Sequence, residues 1–258
     1  MGRFFGSFRL YRNWDFGPDS VVRDLYGAEL KNDFLDEDIS NLALTGTALA
    51  NRRNRREPLV TVRIYLEGGF QGSTKSNCRQ GFRLFFGKVI PRGSFRVIAS
   101  GDRSAAFRDF CSALKQNQDD YIILLVDSEE GVSAGPGQYL GSREGDKWHR
   151  PAGAHDDQGH LIVQAMESWF LADRPALTDY YGQGFAVDSL PGQSNIEVIS
   201  KQDVFTALQQ SSKKTQKGEY HKTRHGFDLV KRIDPNRVRT ACRQADRPLV
   251  VLQRETAG

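Results

Sequence analysis

Two apolar runs constrain this chain most. Val60 to Gly69 (VTVRIYLEGG) ends on Glu67, and Tyr121 to Glu130 (YIILLVDSEE) ends on Asp127 and Glu129. Each reads as a buried strand closed by turn or polar residues, the second as the central strand of a parallel sheet. Ligands of open parallel sheets gather beyond the carboxyl ends of the strands. Glu67, Asp127 and Glu129 are therefore expected to meet at one sheet edge. Three crowded carboxylates repel unless a cation neutralises them, and hard oxygen donors favour Mg²⁺ or Mn²⁺. The chemistry this points to is metal-dependent phosphoryl transfer.

The segments between these runs complete the unit. A glycine-rich turn leads into a helix expected from about Ser76 to Val89, stopped by Pro91 and Gly93. Ser94 to Ser100 reads as a strand, and Asp102 caps a helix running to about Asn117. Ala106, Phe107, Phe110 and Leu114 recur at helical spacing, which marks them as core. Alternation of strand and helix predicts an α/β fold, a mostly parallel sheet flanked by helices, with right-handed crossovers. Residues 131–159 are rich in glycine and polar side chains and read as a long loop over the strand ends. His160 to Ala165 is the fourth strand, and Met166 to Ala172 turns into a helix that starts with Glu167. Glu167 is a candidate fourth acid. Asp156 and Asp157 fit a solvated loop tip better than a second metal.

A phosphate-binding loop competes for the first turn. Gly69 to Ser76 (GFQGSTKS) approaches G-x-x-x-x-G-K-[ST], but Thr74 stands where the second glycine is needed. Glu67 would also repel an anion there. Lys75 and Ser76 are more simply the start of a helix.

Charge is unevenly spread. The whole chain of 258 residues carries a net charge of +4, yet residues 201–258 hold 13 basic against 6 acidic side chains. An acidic edge beside a basic segment suits a polyanion gripped by one part and cut by another, although such an excess equally serves a solvated surface. Within it, Lys213 to His225 (KKTQKGEYHKTRH) interleaves basic residues with an aromatic, a pattern suited to phosphates and bases. Lys217, Tyr220, Lys222 and Arg224 are the candidate nucleic-acid contacts. This gripping segment is expected to be separate from the metal acids. His221 and His225 stand at i, i+4 without an adjoining acid, which argues against a zinc pair.

The remaining features set limits. Residues 1–58 read as an irregular N-terminal extension, with a helix near Ile39 to Ala50 and a basic linker holding Arg52, Arg53, Arg55 and Arg56; an upstream translational overrun is the alternative. Residues 59–258 form the α/β domain. No apolar run is long enough to span a bilayer and no signal peptide opens the chain, so a cytoplasmic protein without membrane contact is expected. Three scattered cysteines, Cys78, Cys111 and Cys242, fit neither zinc spacing nor a disulfide framework.

A glutamate after the first strand and an acidic pair after the third resemble the Toprim domain of topoisomerases, primases and OLD-type nucleases. The further segments Met166 to Asp173 (MESWFLAD), Lys217 to Lys222 (KGEYHK) and Ile233 to Val238 (IDPNRV) look like the DUF4276 family of Toprim-like proteins, over about residues 60–253. The resemblance implies a Toprim-like sheet with a helical, basic C-terminal lobe. In it Glu67 is a general acid or base, and Asp127 with Glu129 holds Mg²⁺ or Mn²⁺. This chain has Glu129 where the stricter pattern has aspartate. The implied activity is a Mg²⁺-dependent nuclease acting on DNA or RNA, with an ATPase partner in antiphage or genome defence. The alternative is a non-catalytic nucleic-acid or partner-binding subunit.

Overall fold

A computed structural model describes residues 61–257 apart from 71, 92, 117 and 118, all within the unit Glu57–Gly258. The expected N-terminal extension, its helix and its arginine-rich linker lie outside the described residues, as do Val60 and Asn117. Strands β1 (Val62–Glu67), β2 (Phe95–Gly101), β3 (Tyr121–Asp127) and β4 (Gly159–Ile162) form one sheet in the order β2-β1-β3-β4. Every paired neighbour is parallel. Helix α1 (Gly72–Phe86) crosses from β1 to β2, and α2 (Arg103–Gln116) from β2 to β3.

Strand alternation explains why both faces are covered. Val62, Ile64, Leu66, Ile123 and Leu125 point into one core with Phe82, Phe85 and Phe86 of α1 and the C-terminal helices. Tyr65, Ile122, Leu124 and Val126 point into a second core with Ala106, Phe110 and Ala113 of α2. A strand apolar on both faces can only be buried between two layers. The four helical-spacing residues behave as expected: Ala106 and Phe110 are buried, while Phe107 and Leu114 pack against that core from its margin. Asp102 caps α2 by accepting from the Ala105 N–H at 2.7 Å. The C-terminal part is helical, and its last helix (Arg243–Glu255) buries Leu249, Val251 and Leu252 in the same core as β1.

Two local expectations change, and the helix expected at Met166 is present with tighter winding. The long loop contains a helix, α3 (Pro136–Ser142), and is tied down rather than draped. Asp146 receives the Arg103 guanidinium at 2.6 and 2.8 Å, and Trp148 stacks on Phe107 with centroids 4.3 Å apart. The fourth strand stops at Ile162, earlier than its apolar run. Met166–Ala172 is a 3₁₀ helix, not an α-helix. Met166 to Leu171 are all buried, Trp169 among the largest fully enclosed side chains, so the segment takes the tighter winding where neighbours press on every side. No helix among the described residues is long and apolar enough to cross a membrane.

Candidate metal and phosphate site

The strand order places the site. β1 sends its chain one way, to β2, and β3 continues the other way, to β4, so the switch point lies between β1 and β3. That is where an open α/β sheet leaves a crevice at its carboxyl edge. Glu67 ends β1 and Asp127 ends β3. Register slips between Leu66 and Glu67, the kind of irregularity that re-aims a side chain at a sheet edge. The chain leaves through Gly69, at φ 72°, where an added Cβ would stand 2.5 Å from the Lys75 Cα; only glycine fits.

Beyond Asp127 the backbone is held by β4 and its extension. The Ser128 N–H donates to the Ile162 carbonyl at 2.8 Å, and the Glu129 N–H to the Gln164 carbonyl at 2.8 Å. Glu129 adopts φ 71°, a left-handed conformation that costs a non-glycine residue about 1–3 kcal/mol. With that backbone, one carboxylate oxygen each of Glu67, Asp127 and Glu129 lies within 4.8 Å of the others. The extra methylene of Glu129 thus goes with an unusual backbone at that position.

Counter-charges surround the three acids. Arg103, the first residue of α2, sits 3.6 Å from Glu67 and donates to the Asp127 main-chain carbonyl while it grips Asp146. Lys201 pairs with Glu129. Lys222 stands 3.9 Å from Asp127 Oδ2 and 3.9 Å from Glu167 Oε1. With Asp146 and Glu167 the group comprises five carboxylates against Arg103, Arg143, Lys201 and Lys222, one positive charge short at full ionisation.

Burial sets the proton affinities. The Asp127 carboxyl is pushed up to about 8, chiefly by desolvation, with Lys222 opposing and Glu67 and Glu167 adding to the rise. Its Oδ1 accepts the Met166 N–H at 3.0 Å, which leaves Oδ2 toward Lys222. Glu67 is also raised, because burial outweighs the nearby Arg103. Desolvation pulls Lys222 down, but Glu167, Asp127, Glu67 and Glu129 together hold its ammonium above the ordinary value. Among the described residues, the buried Oε2 atoms of Glu67 and Glu167 have no hydrogen-bond donor. Unpaired buried carboxylate oxygens are costly and mark places where a ligand completes the shell.

Residues 74–252 match the profile of a domain of unknown function (DUF4276). The chain belongs to this family. The DUF4276 match includes Asp127, Glu129, Glu167, Lys201 and Lys222 but begins after Glu67. No curated protein and no solved structure gives a match.

The basic segment departs from its expected arrangement. The acid trio and the basic segment are not separate, because Lys222 sits among the acids. Tyr220 is 2 % exposed and donates its hydroxyl to Glu167 at 2.8 Å, so its ring offers no face to a base. The apolar neighbourhood that buries it includes Phe170 and Phe205, which its sequence context of lysines hides. Glu167 is fully buried beneath Tyr220, outside the close trio but joined to it through Lys222. Lys217 lies over the Tyr180 ring at 5.0 Å, and Arg224 is exposed. The Nδ1 atom of His225 accepts the His221 N–H at 3.1 Å.

Arg103 and Lys201 were not legible as site residues. Arg103 follows a strand end directly, a position that sequence marks as part of the carboxyl edge. Lys201 begins the helix Lys201–Ser212, and nothing in its local sequence ties it to Glu129 across 72 residues.

Proposed function

We propose that this DUF4276 protein is a Toprim-like, divalent-metal-dependent nuclease acting on DNA or RNA. The observation that carries the reading is the trio Glu67, Asp127 and Glu129, converging within 4.8 Å at the switch point. Its all-oxygen donor set suits a hard cation such as Mg²⁺ or Mn²⁺. When bound, the metal would polarise the phosphate and stabilise the leaving oxygen.

The chain's own residues take the other roles. Asp127 and Glu129 would hold the cation, and the Met166 N–H fixes the Asp127 carboxyl plane. Glu67, its proton affinity raised by burial, exchanges a proton with the attacking water or leaving oxygen. Lys222 presents a localised positive charge to a non-bridging phosphate oxygen. Arg103 holds Glu67 and the Asp127 main chain in register through its anchor on Asp146.

The second reading, a non-catalytic binding subunit, rests on Lys201 and Lys222. If these lysines neutralise the acids permanently, the fold keeps the site without a metal. Incubating purified protein with single-stranded DNA, duplex DNA and RNA, in Mg²⁺, Mn²⁺ or EDTA, separates the two. Divalent-dependent cleavage that Asp127→Asn abolishes supports the nuclease; intact substrate under every condition rejects it. An ATPase partner in defence belongs to the same proposal and is tested by co-purification from the native host.

A further inference from the structure

A cavity of 340 Å³ opens beside the acids, and one wall of it is Glu67, Asp127 and Lys222. The rest of its lining is largely apolar: Phe82, Ile162, Met166, Phe227 and Phe70. Phe82, Ile162 and Met166 belong to the buried core, so this part of the lining is a fixed surface. Phe70 is different. Its side chain is 74 % exposed, the most exposed large hydrophobic among the described residues. A phosphodiester backbone has no use for such a lining, which suits a flat apolar group attached to the phosphate.

We propose that this cavity is a subsite for one unstacked nucleobase, with Phe70 as its stacking platform, and that the DUF4276 site takes single-stranded or unpaired nucleotides rather than base-paired duplex. This rests on the nucleic-acid reading above and narrows its substrate class. The volume lies at the lower end of the roughly 300–1,000 Å³ typical of small-ligand pockets, room for one base and not for a stacked pair of strands. A base inside a duplex reaches such a pocket only by leaving the stack, which costs least when it is already unpaired. Base stacking on an aromatic is tolerant of sequence, because every base has a π-face. Thr74 and Thr223 also line the cavity, and Lys222 is placed for the attached phosphate.

The test is a binding measurement that does not require cleavage. Fluorescein-labelled 12-mers of mixed sequence, one single-stranded and one closed into a hairpin duplex, are titrated in EDTA with wild type, Phe70→Ala, Phe70→Trp and Val198→Ala. Phe70 is exposed, so its replacement leaves the core intact. Phe70→Ala is expected to weaken single-strand binding by about 5- to 150-fold, the effect of one lost stacking contact, and duplex binding by less than about twofold. Phe70→Trp is expected to restore affinity, with its indole emission quenched on binding. Val198, 66 % exposed on a different segment, is the control and is expected to change nothing. Equal binding of single strand by wild type and Phe70→Ala, or an equal loss for both substrates, overturns the subsite. A failed nuclease reading shows differently, as intact substrate in Mn²⁺ while the Phe70-dependent single-strand preference persists.

Discussion

Replacing Asp127 by asparagine removes a group that is expensive to ionise where it stands. Burial pushes its carboxyl up to about 8, from an ordinary value of 3.8. A raised folded value means stability is fully present below about pH 4 and is lost as pH rises toward 8. At pH 7 the linkage amounts to about 4 kcal/mol, because the unfolded chain has released this proton and the folded chain still holds it. Asparagine keeps an oxygen to accept the Met166 N–H but turns an amide toward Lys222, which returns part of the gain. In EDTA at pH 7–8 the variant is therefore expected to be more stable than wild type by about 1–3 kcal/mol, roughly 2–10 °C in Tm for a domain of this size. The difference should shrink toward zero near pH 4.5. Thermal and urea denaturation of both proteins from pH 4.5 to 8.5 measure it. Mn²⁺ at a hundredfold excess over Kd should then raise wild type by about 2.7 kcal/mol and leave the variant unmoved. An Asp127→Asn protein less stable than wild type at pH 8 without metal refutes the reasoning, since the carboxylate would then be held ionised by Lys222 and its neighbours.

Three further outcomes follow from the same geometry. Lys222→Met should lower cleavage by about 10²–10³-fold if its charge stabilises the transition state, while Mn²⁺ affinity by calorimetry holds or rises as a competing cation leaves Asp127. Unchanged turnover would remove Lys222 from the chemistry. Tyr220→Phe should cost about 1–3 kcal/mol in denaturation, because the buried Glu167 loses the Tyr220 hydroxyl as donor, and should leave nucleic-acid affinity intact; weaker binding without lost stability would restore a contact role. His160 is buried neutral, lowered to about 4 mainly by desolvation against the pull of Asp157. A lowered value means its contribution is intact above pH 6.5 and is lost as pH falls toward 4, about 3 kcal/mol in all. His160→Gln should flatten the stability profile in that window, and an undiminished slope would assign it to other groups.

The sheet was legible because its strands are buried on both faces. A run such as YIILLVD has no polar face to place in water, so it demands helices above and below, and the crossovers then make it parallel. Asp102 was legible as a cap for an equally local reason. Length and winding near the core were not. The strand at His160 ends early and Met166–Ala172 winds as 3₁₀ because packing around Trp169 and Phe170 decides both, and packing is not a local property.

The site was legible in its acids and opaque in its cations. Carboxylates at strand ends are placed by the strands themselves, so Glu67 and Asp127 could be brought together from sequence. Arg103, Lys201 and Lys222 reach the site from a helix start, a second helix start and the π-helical turn Lys222–Gly226. Their long side chains make the contacts, and no periodicity records where a flexible stem ends. The segment KKTQKGEYHKTRH showed this most clearly. Its lysines suggested one solvent-facing grip, yet Tyr220 turns inward to Glu167 and Lys222 turns over the same carboxylate. A buried carboxylate needs a donor and a counter-charge at once. Tyr220 and Lys222 supply them to Glu167 from positions two residues apart, and that requirement, rather than exposure, accounts for a tyrosine among the lysines.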